Sequence, residues 1–107
     1  MKIKEVRRRS YYDLKKLQDL IANPETRHIT RTATNDATSL GYSPEEMVDL
    51  IMKLQKSNFC KTMEAHDCPG RWQDVYKVND GSLALYIKIQ KGNDESGVII
   101  SFKEDGS

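Results

Sequence analysis

Trp72-Gln73-Asp74-Val75-Tyr76, with Leu83-Ala84-Leu85-Tyr86-Ile87-Lys88-Ile89 behind it, decides the fold. Successive side chains of a strand point to opposite faces of its sheet. Leu83, Leu85, Ile87 and Ile89 therefore share the face expected toward a core, and Ala84, Tyr86 and Lys88 share the other. The first run sets Trp72, Asp74 and Tyr76 against Arg71, Gln73, Val75 and Lys77. A third run, Val98-Ile99-Ile100-Ser101-Phe102-Lys103-Glu104, offers Val98, Ile100 and Phe102 as its apolar face, with Ser101 and Lys103 opposite. Asn79-Asp80-Gly81 marks a hairpin between the first two runs, residues 92–97 form a longer hairpin loop, and Cys68-Pro69-Gly70 reads as a turn. One sheet surface then collects Gln73, Lys77, Tyr86, Lys88 and Lys103, a surface suited to a polyanion.

Upstream, the period changes to that of helices. Leu14, Leu17, Leu20 and Ile21 recur at helical spacing after Ser10, a residue able to cap, and Asn23-Pro24 stops the run. Residues 24–31 read as a polar connection. A short helix is expected over Thr32–Leu40, with Ala33, Ala37 and Leu40 inward and Gly41 as its stop. The clearest start is Ser43-Pro44-Glu45-Glu46, a capping box with proline at the first helical position. Met47, Leu50, Ile51 and Leu54 supply that helix's buried stripe, and its end is expected near Lys56. Phe59-Cys60-Lys61-Thr62-Met63 stays open between a strand and a last helical turn. As a strand, it would set Lys61 beside Phe59 and Met63, which is no clean core face. Helices followed by consecutive strands give an α+β fold, with N-terminal helices packed on a C-terminal antiparallel sheet.

The 107 residues amount to one ordinary domain, with a basic arm over 1–9 and a tail over 105–107. No apolar run approaches the length of a membrane span, and the basic N-terminus lacks the apolar segment of a secretory signal. Cys60 and Cys68 make no disulfide framework, so a reducing cytoplasm is the expected location. The net charge of +1 hides an asymmetry: residues 1–31 hold nine Lys or Arg against four Asp or Glu. That basic third, which includes Arg8, fits contact with nucleic acid as well as it fits a solvated helix face. Tyr11 and Tyr12 suit base stacking or packing at a helix start.

Candidate chemistry narrows by elimination. There is no Gly-rich phosphate loop and no H-E-x-x-H motif. Cys60, His66 and Cys68 lack the paired C-x-x-C spacing of structural zinc sites, and no base is placed beside either thiol. Glu45-Glu46 and Asp94-Glu95 sit where caps and turns want carboxylates. The Lys, Tyr and Gln surface remains, either as ordinary solvated strand or as a site for a phosphodiester. RNA carries its own nucleophile, the 2′-hydroxyl. A lysine crowded by cations can move its proton, and cations beside the phosphate stabilise the transition state.

Phe59-x-Lys61-x-Met63, Trp72-Gln73-Asp74-Val75-Tyr76, Tyr86-Ile87-Lys88-Ile89 and Ser101-Phe102-Lys103-Glu104 also resemble, in order and in nearly all spacings, the motifs of the motility quorum-sensing regulator (MqsR) toxins. Thr30-Arg31-Thr32-Ala33, Leu40-Gly41 and Lys15-Lys16-Leu17 fit the same pattern, so the resemblance covers about residues 10–104. It implies a RelE-like, microbial-ribonuclease-like fold and a type II toxin. Such a toxin is a cytoplasmic endoribonuclease cutting messenger RNA at short GC-containing sites, typically GCU, without the ribosome and without a cofactor or metal. It implies a catalytic group of Lys61, Gln73, Tyr86 and Lys103, with Cys60, Met63, Lys77, Lys88 and Arg8 expected along the RNA. Lys61 or Tyr86 would handle the 2′-hydroxyl proton, Lys103 the phosphate or the leaving oxygen, and Gln73 the orientation of the phosphate or sugar. It further implies an MqsA-like antitoxin with zinc-binding and helix-turn-helix domains, operator DNA being met only through that antitoxin.

The sequence departs from the better-known members at several points. Cys60 stands for a tyrosine and Pro69 for a histidine. Lys77 stands for an arginine, whose planar bidentate contact lysine cannot reproduce. The last hairpin and the connection around 22–29 are longer. These changes bear on the cleavage triplet and leave the reaction class alone. Two other readings compete: a non-catalytic RNA- or partner-binding module of the same fold acting as a co-regulator, and a small zinc-dependent regulator built on Cys60, His66 and Cys68.

Overall fold

Among the described residues, three short helices form where caps and apolar stripes coincide. The computed structural model describes residues 6–106, so residues 1–5 of the expected arm and residue 107 of the tail lie outside it. Helix α1, Leu14–Ala22, is capped by Asp13, whose carboxylate accepts from the Lys15 N–H. The cap is thus three residues later than Ser10, because residues 10–12 are held instead against the sheet. Helix α2, Arg31–Ser39, starts on Thr30 and ends before Gly41, whose φ of 92° is the left-handed stop that glycine accommodates. Helix α3, Pro44–Met52, carries the full Ser43/Glu46 capping box. It ends at Met52, short of Lys56; Leu54 is buried beyond it by a turn, and a 3₁₀ turn occupies Lys56–Asn58.

Six strands of the described residues form one sheet: β1 Val6–Arg7, β2 Arg27–Ile29, β3 Phe59–Ala65, β4 Cys68–Asp80, β5 Leu83–Lys91 and β6 Gly97–Glu104. Their spatial order is β1-β3-β4-β5-β6-β2. β3 to β6 are the expected antiparallel meander, and Phe59–Met63 is resolved as strand. The N-terminal half supplies both edges. β1 lies antiparallel to β3, while β2, inside the expected connection, runs parallel to β6 and makes the sheet mixed. The Cys68-Pro69-Gly70 turn is displaced: the chain reverses at His66-Asp67, and Cys68 already belongs to β4.

All three helices contribute to a core on one side of the sheet. Leu17, Ile21, Ala33, Ala37, Met47 and Ile51 pack against Tyr76, Leu85, Ile87, Ile89, Ile99 and Phe102. Among the described residues, the other side of the sheet carries no helix of this core.

Two of the three register shifts among the described strands set which side chains reach that open side. Phe59 pairs with Tyr76 but Lys61 pairs with Val75, so Cys60 is an extra residue on β3. Lys88 pairs with Ser101 but Ile89 with Ile99, so Ile100 is an extra residue on β6. An extra residue inverts the alternation beyond it. The core residue of β6 is consequently Ile99, fully buried, and not Ile100 as strict alternation gives. Thr30 holds this second bulge. Its hydroxyl donates to the Ile100 carbonyl at 3.0 Å, and its N–H donates to the Ile99 carbonyl at 3.1 Å.

Candidate active face on the open side of the sheet

Register alone orders the open face into three rows across the strands. Met63, Gln73, Gln90 and Val98 form one row, and Lys61, Val75, Lys88 and Ser101 the next. Lys77, Tyr86 and Lys103 form the third. Paired residues of a sheet project to the same side. Lys61, Gln73, Tyr86 and Lys103, reached by two different routes in the sequence, therefore share one surface. The Cys60 bulge turns Phe59 to the helix side, where its ring meets Tyr76, and frees Lys61 for the open side. Without that extra residue Lys61 and Phe59 would compete for one face, which is why simple alternation had no place for Lys61.

Tyr86 lies at the centre of the cationic rows. The Lys103 Nζ stands 5.2 Å from its ring centroid and the Lys88 Nζ 5.9 Å, both over the aromatic face. Partial burial is the main reason its hydroxyl pKa is raised above 10; Cys60 and Asp105 push the same way and Lys77 opposes them. The group is therefore a neutral hydrogen-bond donor near pH 7. Lys77 Nζ lies 3.3 Å from the Asp105 carboxylate, and the Asp105 N–H donates to the Ala84 carbonyl. Val75 is fully buried between Lys61 and Lys88, so the long stems of its neighbours cover it.

The remaining expected residues divide. Met63 is half-buried in the Gln73 row, and Cys60 is exposed at the bulge. Lys77 and Lys88 are in the rows. Arg8 stands apart, in the exposed segment that follows β1. Cys60, His66 and Cys68 are not gathered: among the described residues no three His, Cys, Asp or Glu side chains come together to hold a metal ion. Among these residues, too, no helix is long and apolar enough to cross a membrane.

The sequence reading missed Gln90. Its amide oxygen accepts from Gln73 Nε2 at 2.8 Å, and the residue is 5 % exposed. The signal was present, since Gln90 continues the alternation of Tyr86 and Lys88. Asp105 was also missed, because residues 105–107 read as a tail.

Two comparisons bear on this geometry. A family profile described as "Motility quorum-sensing regulator, toxin of MqsA" matches residues 9–104. The chain is also 36 % identical over 75 residues to a protein of Escherichia coli (strain K12) named "mRNA interferase toxin MqsR". That match covers 70 % of this chain and 74 % of the relative.

Proposed function

The chain belongs to the motility quorum-sensing regulator toxin family, and from that premise we propose that it is an mRNA interferase working on the open face of its sheet. The observation that carries the reading is the shared face of Lys61, Gln73, Tyr86 and Lys103. In this reading the protein cuts messenger RNA at short GC-containing sites of the GCU kind, with neither ribosome nor metal. The substrate's 2′-oxygen attacks the adjacent phosphorus, and its proton passes to Lys61 reacting as its neutral amine. The bond to the 5′-oxygen breaks, and that oxygen takes a proton from Lys103. The products are a 2′,3′-cyclic phosphate and a 5′-hydroxyl.

Lys61 and Lys103 lie three strand spacings and one row apart, roughly 16 Å between backbones. Their side chains converge on a phosphate seated over β4 and β5. Tyr86, held neutral, donates to the phosphorane oxygen between them. Gln73 orients the phosphate or its sugar. Cys60, Met63, Lys77, Lys88 and Arg8 line the path of the strand, Cys60 and Lys77 bearing on the choice of triplet. An MqsA-like antitoxin with zinc-binding and helix-turn-helix domains neutralises the toxin in the cytoplasm and carries any contact with operator DNA.

The test is purified protein with a long synthetic RNA in excess EDTA, without ribosomes, and mapping of the new ends. Cuts at GC-containing triplets bearing 5′-hydroxyls are expected. Folded, antitoxin-free protein that leaves the RNA intact would transfer the face to a binding role.

A further inference from the structure

A second feature begins where the active face ends. On the helix side of β3, a hollow of about 430 Å³ opens between the segment after β1 and the 3₁₀ turn. Its lining includes the half-buried Tyr12 and Phe59 and the buried Tyr76, with the exposed cations Arg9 and Lys56 beside them. Asp13 is the carboxylate present, and it is engaged as the cap of α1. The size is that of a small-ligand site, and apolar walls with a few polar groups are the usual make-up of one. Aromatic faces next to cations are what a nucleobase and its phosphate require.

Its position matters more than its size. The Cys60 bulge sends Phe59 into this hollow and Lys61, two residues on, to the active face. Arg7 pairs with Thr62 of β3, and two residues further on Arg9 lines the hollow together with Phe59. A strand leaving Lys61 over the exposed bulge therefore meets Arg9 and the aromatic lining next. Arg8, which lies off the three rows, falls on this route.

We propose that the hollow is a subsite for a nucleotide flanking the cleaved triplet, its base against Tyr12 and Phe59 and its phosphate held by Arg9 and Lys56. The inference rests on the RNA-cleaving reading above and assigns that strand a path over the β3 edge. The protein would then read one position outside the triplet by stacking, which tolerates any base but requires that one be present.

The experiment compares kcat/KM on a set of synthetic RNAs holding a single target triplet. One has ordinary flanking nucleotides; each of the others carries one abasic unit at a different flanking position. Wild-type protein is expected to favour the intact RNA by about tenfold at one flanking position, as loss of a stacked base implies. The Arg9→Ala/Lys56→Ala variant, altered only at exposed side chains, should lose that preference. A wild type indifferent to every abasic position, or a variant that keeps the full preference, overturns the subsite. If wild type cuts none of these RNAs, the toxin reading fails instead.

Discussion

Asp74 is fully buried, and each of its carboxylate oxygens accepts a backbone N–H, from Tyr11 and from Tyr12, at 3.0 Å. The Tyr12 hydroxyl donates to the Trp72 carbonyl at 2.7 Å. Trp72 has the Arg7 guanidinium 4.4 Å from its ring centroid and the Tyr11 ring stacked at 5.7 Å. The stretch from Trp72 to Lys77 therefore serves two faces. Trp72 and Asp74 tie down the segment before α1, and Gln73 and Lys77 enter the candidate active face. Asp74→Ala leaves two amides without partners and should cost about 3 kcal/mol, read as a lower urea midpoint. Tyr86 offers the complementary case, an effect on activity without one on stability. Tyr86→Phe keeps the ring under Lys88 and Lys103 and removes only the donor. We expect kcat to fall about 100-fold with the melting temperature unchanged. Because the hydroxyl pKa is raised, its protonated form persists through neutral pH, and its contribution to activity should fade only above pH 10.

At the scale of elements, β6 shows how a strand is fitted to its neighbours at both ends. Gly97 begins it with no room for a side chain: an added Cβ would stand 2.8 Å from Ile21 Cγ1 and 3.0 Å from the Ile21 backbone nitrogen. The Gly97 N–H also donates to the Thr26 carbonyl at 2.8 Å, where β2 joins. Gly97→Ala should destabilise by about 2 kcal/mol, seen as a melting temperature lower by roughly 10 °C. Local pattern made much of this fold legible. Leu85, Ile87 and Ile89 alternate as the core needs, and Ser43 with Glu46 announces α3. Asn79-Asp80-Gly81 gives a two-residue turn, Gly81-Ser82, with Gly81 at φ 61°. The failures share a cause, which is dependence on a distant partner. β2 is three residues long and exists only through β6. The Ile100 bulge depends on Thr30, some seventy residues earlier. The candidate site followed the same division: alternation found Gln73, Tyr86 and Lys103, while Lys61 needed the family resemblance, since one extra residue at position 60 is invisible to a period of two.

Seen whole, the molecule has a divided sheet, with helices and core on one side and lysines, glutamines and a tyrosine on the other. The helix side also holds tyrosines whose ionisation matters to stability. Burial raises the Tyr76 pKa to about 12, aided by Asp74 and Asp13. Tyr42 is likewise raised to about 12, by desolvation and by its hydrogen bond to Asp80. In the unfolded chain both would titrate near 10. A folded pKa above the unfolded one gives stability that is complete below pH 10 and lost as pH climbs toward 12. Melting temperature measured across that range should fall steeply, and Tyr76→Phe should blunt the fall.

The measurement that tests the active face most directly is single-turnover cleavage of a synthetic RNA by Lys103→Ala beside wild-type protein, with both melting temperatures recorded. Lys103 is exposed, so its removal should leave stability within about 0.5 kcal/mol. The cleavage rate should fall at least about 100-fold. A variant with wild-type rate and wild-type melting temperature would contradict the assignment and remove Lys103, and with it the proposed proton path, from the mechanism.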